Sequence, residues 1–451
     1  MSLEPGVGLF SGLFARGAVA EATSDRAVLQ AMLRVELALI RALQTCNLAP
    51  RQVADQLQAA LKTSGFDPAA LGAGAGEQGT PVPALVSALR ARLPEPARSH
   101  LHAGATSQDI VDTALMLVAR DALAIVLADL KRAVRACAGL AESHRGTLMA
   151  GRTLLQDALP STFGLKAANW LTGLQEARSD LDHVRTHVLA AQLGGAVGTL
   201  AAYGDRGLEV AQAFAADLEL AEPPLPWHTI RTRPARLASA LGVASGVMGK
   251  VARDIVLLAQ SEVAECAEGG AGERGGSSTM PHKHNPVAAI AVLACAGQTP
   301  GLVAGVLSAM VQEHERGAGS WQAEWQPLLG LLALSGSAAH AMAELLEGLQ
   351  VDPRRMRANL EAAGAELMSE SLVGALADRL GRAQAGQRVR EAAQRAREQG
   401  RPLEVILGED EQVLGALGGK GLQAALDPER YLGVSGALID RALALAAGAR
   451  S

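Results

Sequence analysis

Apolar residues recur at spacings of three and four along most of this 451-residue chain. The first clear run covers residues 25–47, and its apolar positions fall on one face of a helix. They are Val28, Met32, Val35, Leu39 and Leu43. Ser24 directly precedes the run, and its hydroxyl is of the kind that caps a helix N-terminus. The pattern predicts a helix that begins after Ser24 and ends at Asn47.

Longer patterns of the same period fill the middle of the chain. One runs from 106 to about 144 without an internal proline, which predicts a helix roughly 50 Å long. Others predict helices over 161–193, 234–268 and 286–315. No block of the chain is rich in the alternating pattern of strands. Helices of about thirty residues are typical of a helix bundle.

We expect an all-α protein with three helical domains. Residues 1–105 form a small N-terminal helical domain, and residues 106–350 form a central long-helix bundle with a catalytic loop at 268–286. Residues 351–451 form a C-terminal domain of short helices separated by glycines. Long helices expose apolar surface unless other subunits cover it, so the pattern also predicts an oligomer.

The composition supports helices and excludes some partners. Hydrophobic residues make up 49% of the chain and aromatic residues 2%, so the core must consist of Leu, Ala and Val, which suits packed helices. The net charge of −5 provides no basic surface for nucleic acid. Residues 287–311 carry no charge, but Gln298, Thr299 and Pro300 interrupt the apolar run. We interpret it as a buried helix rather than a membrane span.

Cysteine usage and the N-terminus indicate the compartment. Cys46, Cys137, Cys266 and Cys295 lie far apart and include no C-x-x-C pair. We therefore expect buried free thiols in a reducing cytoplasm, and no metal site. The N-terminus also lacks the basic and then apolar layout of a signal peptide.

The most distinctive polar stretch is Gly-Gly-Ser-Ser-Thr-Met-Pro-His-Lys-His-Asn-Pro at 275–286. The glycines at its start and upstream indicate a mobile loop that solvent reaches. Its hydroxyls, its cation and its amide suit the binding of a carboxylate and the transfer of a proton. A plain linker is the alternative, but so many specified positions make it the weaker interpretation.

Two further polar stretches interrupt the helical pattern. One reads His-Ala-Gly-Ala-Thr-Ser-Gln-Asp from His102, and in it Thr106 or Ser107 suits a helix cap while Asp109 favours the positive end of a helix. Its local sequence fits either a capping motif beside a surface histidine or a functional site. The other, at 151–160, places polar side chains between two long helices.

Charged residues near prolines and tryptophans are weaker candidates. Arg231, Arg233 and Arg236 follow a proline-rich loop, and such a set suits either a polyanionic substrate or a solvated helix start. Glu324 lies between two tryptophans along the chain, and we interpret it as surface charge beside packing side chains.

Together the three polar stretches resemble the fumarase/aspartase superfamily. Its GSSxMPxKxN loop matches residues 276–285, its TSxD stretch 106–109 and its GRTxxQ stretch 151–156. Their order, their spacing and the helical setting match over essentially the whole chain. Within the superfamily the chain most resembles the 3-carboxy-cis,cis-muconate cycloisomerases, on flanking residues 159–170 and 313–325.

The resemblance implies how such a protein works. Members form homotetramers around a shared core of long helices, and each active site takes residues from three subunits. A serine of the mobile loop, which is Ser277 here, moves a proton next to a substrate carboxylate. The residues expected to bind the di- or tricarboxylate substrate are Thr106, Ser107, Gln108, Thr153, Gln156, Lys283 and Asn285, with Arg233 added from the arginine set. Neither a metal nor an organic cofactor is implied.

The chain departs from the superfamily at two positions. Lyases of this group commonly have a histidine after GRT and a glutamate five residues after the motif asparagine, where this chain has Leu154 and Ile290. Losing both members of a hydrogen-bonded pair avoids a buried unpaired group. A carboxylate is a stable leaving anion near neutral pH, so a lactonising enzyme needs no general acid there. Asp157 or His102 remains to support Ser277 in proton transfer.

The sequence therefore favours a cycloisomerase that converts 3-carboxy-cis,cis-muconate to 4-carboxymuconolactone, a step of protocatechuate catabolism by the β-ketoadipate route. A lyase of the adenylosuccinate type is the runner-up, because the Met-Pro-His-Lys run resembles that group also. A helical scaffold without activity is the third alternative. The intact Ser277, Lys283 and Asn285 count against a scaffold.

Overall fold

The computed structural model describes residues 9–62, 65–269, 275–276, 280 and 283–448. Helices make up most of this part of the chain, which confirms the all-α fold class. The helices up to residue 259 are α1 (Ser11–Phe14), α2 (Val19–Ala22), α3 (Asp25–Thr45), α4 (Gln52–Lys62), α5 (Pro68–Ala73), α6 (Ala75–Gln78), α7 (Val82–Arg90), α8 (Ala97–His100), α9 (Ser107–Ser143), α10 (Phe163–His183), α11 (Gly207–Leu218) and α12 (Thr232–Ala259).

The later helices and the shorter elements complete the secondary structure. The remaining α-helices are α13 (Val287–Ser308), α14 (Ser320–Ala323), α15 (Trp325–Glu347), α16 (Pro353–Ala362), α17 (Ser369–Leu380), α18 (Arg382–Gln399), α19 (Leu403–Gly408), α20 (Glu411–Leu426) and α21 (Ser435–Gly448). A π-helix covers Val184–Val188, and 3₁₀-helices cover Ala201–Arg206, Ala365–Met368 and Pro428–Tyr431. The strands are β1 (Leu148–Thr153), β2 (Gln156–Thr162), β3 (Cys266–Glu268) and β4 (Leu349–Val351).

The two clearest helical patterns are confirmed. The first is α3, and the hydroxyl of Ser24 caps it by accepting a hydrogen bond from the Ala27 N–H at 3.2 Å. The buried members of its predicted apolar stripe are Met32, Val35, Leu39 and Leu43. The second is α9, a continuous helix of 37 residues. In both helices the apolar period and the absence of an internal proline fix the element.

The chain folds into two compact units. Among the described residues, the first unit covers those up to 131, those of 176–252 and those of 288–344, and the second covers those within 132–175, 253–287 and 345–448. In the first unit α11 packs against α3. In the second unit leucine, valine and alanine side chains of α17 to α20 form a core, as the composition predicts. The division into domains at 105 and 350 stays a prediction.

The third polar stretch forms an antiparallel hairpin. β1 pairs with β2, and Thr153 lies opposite Gln156 at the turn. The turn residues Leu154 and Leu155 both have positive φ, 52° and 65°. Two-residue hairpin turns of type I′ need positive φ at both positions, which asparagine and glycine adopt more easily than leucine. The sequence predicted only a polar stretch between two helices here and did not predict the hairpin, because the turn lacks its usual sequence signal.

Two predicted helices end earlier than their apolar patterns. α12 ends at Ala259, where 234–268 was predicted, and its continuation turns into β3. α13 ends at Ser308, where 286–315 was predicted. Pro300 lies inside α13. Element ends depend on tertiary contacts that a periodic pattern does not contain.

Two segments of the described chain are long and apolar enough to span a membrane. They are Val287–Ser308 and Ser320–Glu347. In the most apolar window of the second, 78% of the residues are buried inside the protein, as in a core helix. In the first the share is 33%, so α13, predicted to be a buried helix, leaves much of its apolar surface uncovered in a single chain.

Cys46, Cys137, Cys266 and Cys295 are all buried free thiols. Their burial confirms the prediction made from their spacing. They therefore behave as small apolar core residues in this fold.

A glycine pair tests the packing of the first unit and the helix of α9. A Cβ on Gly336 of α15 would fall 2.6 Å from Cγ1 of Val19, whereas a Cβ on Gly139 of α9 meets nothing within 4 Å. We expect Gly336→Ala to lower the free energy of unfolding by about 1–3 kcal/mol through overpacking. Gly139→Ala should raise it by about 0.5–1 kcal/mol, because alanine favours the helix. Chemical denaturation measures the free energy of unfolding of both variants. Equal changes in the two would contradict the close contact of Gly336 with Val19.

Candidate active site

The base of the loop at 268–286 is closed by backbone contacts. The backbone N–H and the side-chain amide of Asn285 both donate to the carbonyl of Gly275, at 2.8 and 3.0 Å. Gly276 and His284 form an isolated antiparallel bridge beside this contact. Gly275 has a φ of 77°, and a Cβ there would clash with the Asn285 carbonyl, so glycine is required. Ser277, the predicted proton carrier, lies outside the described residues.

Two predicted substrate ligands line one cavity in the second unit. Lys283 and Asn285 border a cavity of about 900 Å³, together with His284, Gln350 and Arg354. Lysine, arginine and amide donors bind carboxylates by charge and hydrogen bonds. The cavity can therefore hold a small polycarboxylate next to the loop.

The predicted residues of the GRT stretch lie at the hairpin turn. Thr153 and Gln156 are exposed, and the Gln156 amide donates to the Leu155 carbonyl at 3.2 Å. Leu154, at the tip, is 97% exposed. Asp157 pairs with Arg152 at 3.2 Å and is exposed. The hairpin therefore presents its predicted side chains to solvent in a single chain.

A buried carboxylate fixes this hairpin to the start of the loop. Arg152 donates to both oxygens of Glu265, at 2.7 and 2.8 Å, and the Asn359 amide adds a third hydrogen bond at 2.8 Å. Glu265 directly precedes β3, which leads into the loop. Hydrogen bonds to Glu265 hold the pKa of Arg152 above its ordinary value, so the guanidinium stays charged. Sequence reasoning missed Glu265, because no local motif contains it.

In the first unit, Asp109 organises the start of α9. Its carboxylate accepts hydrogen bonds from the N–H groups of Thr106, Gly194 and Gly195, each at 3.0 Å, and lies 2.7 Å from Nε2 of His228. The carboxylate that the sequence places at the positive end of this helix thus binds the Thr106 N–H there and also a distant turn. Thr106 and Ser107 are partly buried at this helix start. The backbone of Thr106 is held by Asp109.

Gln108 is buried, and protein groups occupy its amide. Its Nε2 donates to Asp112 at 3.1 Å and to the His228 carbonyl at 2.8 Å, while its Oε1 accepts from Arg316 at 2.8 Å. Its predicted contact with substrate stays a prediction. In the single chain it joins α9 to two other segments of the first unit.

Arg231 is neither a solvated helix start nor an exposed anion site. Its guanidinium is buried and donates to both oxygens of Asp112, at 2.8 and 2.9 Å, and to Glu324. The indole N–H of Trp321 adds a hydrogen bond to Asp112 at 2.9 Å. The interpretation of Glu324 as surface charge was wrong, since Glu324 is fully buried. Burial raises the pKa of Glu324 to about 7 against the opposing charge of Arg231.

Arg233 also has a protein partner. Its Nη1 donates to the Val188 carbonyl at 2.6 Å, at the end of the π-helix Val184–Val188. Burial lowers the pKa of Arg233, and the charge of Arg236 lowers it further. Its predicted role in substrate binding stays a prediction.

His102 is paired with a residue that the sequence did not suggest. Its Nδ1 lies 2.7 Å from Oε1 of Glu36, a fully buried carboxylate in the middle of α3. Burial lowers the pKa of His102, but the hydrogen bond and charge of Glu36 outweigh it, so the pKa is raised. The interpretation as a plain surface histidine was wrong. Glu36 sits beside the apolar stripe of α3, which was its only sequence signal.

The site residues thus form two sets, one in each compact unit. Comparison with known proteins places the chain in a family. A family model described as Lyase matches residues 14–301, and one described as adenylosuccinate lyase C-terminus matches residues 366–442. The chain belongs to the Lyase family. The superfamily resemblance drawn from the three motifs is confirmed.

Relatives of this lyase match it over nearly their whole length. A 3-carboxy-cis,cis-muconate cycloisomerase from Bradyrhizobium diazoefficiens is 44% identical over 96% of this chain and 97% of its own length. A nitrosuccinate lyase from Streptomyces davaonensis is 42% identical over 97% of this chain and 94% of its own length. The crystal structure of 3-carboxy-cis,cis-muconate lactonizing enzyme from Pseudomonas putida matches with a TM-score of 0.92 at 38% identity, covering 98% of this chain and 100% of that chain.

The buried ion pairs of Arg231 with Asp112 and Glu324 make the free energy of unfolding depend on pH. The folded-state pKa of Glu324, about 7, lies above its ordinary value of 4.5, so between these values the folded state binds the extra proton. Stability therefore falls as pH rises through this window. We expect the wild type to lose on the order of 2 kcal/mol relative to Glu324→Gln between pH 5 and 8. Urea denaturation across that range measures the difference.

The matched control is Glu347→Gln, which removes an exposed carboxylate paired with Arg132 at 2.6 Å. Its stability should follow the wild-type pH curve within about 0.5 kcal/mol, because exposed ion pairs contribute little. A Glu324→Gln curve parallel to the wild type would contradict the assignment of the proton to Glu324.

Proposed function

We propose that this lyase is a cycloisomerase that lactonises 3-carboxy-cis,cis-muconate to 4-carboxymuconolactone. The observation that carries the proposal is 44% identity, over 96% of the chain, with a relative of that name. The replacement of a polar pair by Leu154 and Ile290 supports it. The free buried thiols support a reducing, cytoplasmic setting.

The reaction adds a carboxylate to a conjugated double bond. A carboxylate oxygen of the substrate bonds to one carbon, and the neighbouring carbon, next to another carboxylate, takes a proton. Ser277 carries that proton, while Lys283 and Asn285 hold the carboxylate on which charge develops. Lys283 and Asn285 line one cavity, with Arg354 and His284 on its wall, and this supports their proposed role in binding the carboxylate. A serine becomes basic enough for the reverse step only where N–H donors and positive charge stabilise its alkoxide.

The two apolar replacements fit the chemistry of the leaving group. In the delactonising direction the group that departs is the substrate's own carboxylate, a stable anion near neutral pH. A lyase that releases an amine or hydroxide needs a general acid at the position of Leu154. The proposed cycloisomerase needs none there. In the single chain Leu154 is 97% exposed and Ile290 is 46% exposed, so neither fills a core position.

The assembly that we propose is a homotetramer with shared active sites. α13 supports it, because Ile290 and Leu307 are 46% and 43% exposed on a helix that carries no charged residue. An apolar surface of this kind is normally covered by another subunit. In such an assembly Thr106 and Ser107 of one copy would join Thr153, Gln156 and Lys283 of others around one substrate.

A second candidate function is the elimination of nitrite from nitrosuccinate. The 42% identity with a nitrosuccinate lyase over 97% of this chain favours it. Nitrite is also a stable leaving anion, so this reaction likewise needs no general acid at the position of the missing histidine. Both reactions move a proton next to a carboxylate, and the two candidates differ in the group that leaves or adds.

A Ser277→Ala variant tests the mechanism. Loss of the diene absorbance of 3-carboxy-cis,cis-muconate reports lactonisation directly. We expect turnover by the wild type and a loss of at least about 100-fold in kcat for Ser277→Ala, because a positioned acid–base group is removed. Ser278→Ala is the matched control and should stay within about tenfold of the wild type.

Each other outcome has a definite meaning. A large loss in Ser278→Ala with none in Ser277→Ala would move the proton carrier by one residue. Cleavage of nitrosuccinate or adenylosuccinate without lactonisation would replace the proposed substrate. No reaction with any of the three would favour the inactive scaffold.

A charge placed on α13 tests the assembly. We expect Leu307→Arg to shift the wild-type tetramer to smaller species, because a guanidinium buried without a partner costs several kcal/mol per interface. Multi-angle light scattering measures the mass. Leu414→Arg on α20, a residue of similar exposure in the second unit, should leave it unchanged. A monomeric wild type would contradict the proposed assembly.

A further inference from the structure

A histidine–carboxylate pair in the first unit joins His102, from the second polar stretch, to Glu36, which belongs to no sequence motif. Nδ1 of His102 lies 2.7 Å from Oε1 of Glu36, whose side chain has no exposed surface. In the described part of the chain the second oxygen of Glu36 is buried and accepts no hydrogen bond. A buried carboxylate is costly unless a cation or a proton donor faces it. His102 is the group that faces it.

The backbone holds the ring of His102 in place. His102 has a φ of 59°, a conformation that costs free energy for a residue other than glycine. The Tyr203 hydroxyl donates to the Ala103 carbonyl at 3.0 Å, and a Cβ on Gly104 would lie 2.6 Å from the Tyr203 ring. Strained backbone that tight packing maintains is typical of functional positions. The side chain of His102 keeps 17% of its surface exposed, so the ring remains reachable.

We propose that Glu36 is a positioning residue that makes His102 the acid–base partner of the reaction. The proposal rests on the proposed function. In this pair Oε1 of Glu36 accepts the hydrogen bond, so Nδ1 carries a proton and Nε2 is left to exchange one. This pair takes the place of the histidine and glutamate that Leu154 and Ile290 replace.

Two proton transfers follow one another in the lactonising direction. The hydroxyl of Ser277 gives its proton to the substrate carbon, so an O–H bond breaks and a C–H bond forms. In the assembled enzyme the imidazolium of His102 then returns a proton from Nε2 to the serine oxygen and becomes neutral. Solvent restores the imidazolium before the next turnover. The delactonising direction runs the same steps in reverse.

Among the described residues, four titratable or charged groups face His102 from the elements around it. They are Glu36 on α3, Asp109 on α9, Arg90 on α7 and Tyr203 in the 3₁₀-helix Ala201–Arg206. Asp109 and Glu36 favour the imidazolium, and Arg90 opposes it. Burial raises the pKa of Tyr203, so its hydroxyl stays neutral. Glu36 is the group in direct contact, and its charge is the one that a conservative substitution removes.

The test is Glu36→Gln, which keeps the shape and the acceptor oxygen but removes the charge. The pKa of His102 should fall by about one unit or more. NMR of 13C-labelled histidine measures it without substrate, and the His102 signal is assigned by its absence in His102→Gln. In kinetics, the limb of kcat/KM that falls as pH rises should move to lower pH by the same amount. At low pH the activity should approach that of the wild type.

Glu344→Gln is the matched control. Glu344 also faces a histidine, with Oε1 3.4 Å from Nε2 of His340, on a helix of the same unit. It should leave the His102 titration and the kinetic limb unchanged. Thermal unfolding checks that both variants fold.

The outcomes separate this proposal from the proposed function. An unchanged His102 titration in folded Glu36→Gln overturns the pairing. A lowered titration with an unmoved kinetic limb overturns the acid–base role. Failure of the wild type to lactonise carboxymuconate overturns the substrate alone, and the pH profile is then taken with nitrosuccinate.

Discussion

The buried guanidinium of Arg231 is the constraint on which the first unit depends. One cation lies between Asp112 and Glu324, two carboxylates that are distant along the chain. A charge in the core is tolerated only when its partners are in place. The start of α9, the proline-rich loop and the segment before α15 therefore have to fold together. Asp109, three residues before Asp112 on the same helix, uses this fixed position to hold the turn at Gly194.

The sequence predicts well what a periodic pattern and a cap determine. Ser24 and the stripe of α3 are sufficient to place that helix, and the uninterrupted period is sufficient for α9. The hairpin was missed because its two strands are short and leucines fill a turn that usually needs asparagine or glycine. The spacing of apolar residues along the chain carries no information about such an exception.

The candidate site residues also divide into those that a sequence pattern predicts and those that it does not. Lys283 and Asn285 belong to a contiguous motif, and the structure places them together on one cavity wall. Glu36 and Glu265 belong to no motif, because their partners are 66 and 113 residues away in the chain. For the same reason, local sequence led to the interpretation of Glu324 as surface charge and of Arg231 as part of either an anion-binding set or a solvated helix start. Residues expected to bind the substrate form recognisable sequence motifs. Residues that position them, such as Glu36 and Glu265, do not.

The four native thiols have a practical consequence for labelling. All are buried, and burial raises the pKa of Cys266 to about 12 and that of Cys295 to about 11. Maleimides and iodoacetamides attack the thiolate, which is scarce at neutral pH for such groups. A cysteine introduced at an exposed position such as Leu155 would then be the thiol that reacts first in the folded protein. A fluorophore could be attached to the hairpin tip without first removing the native cysteines.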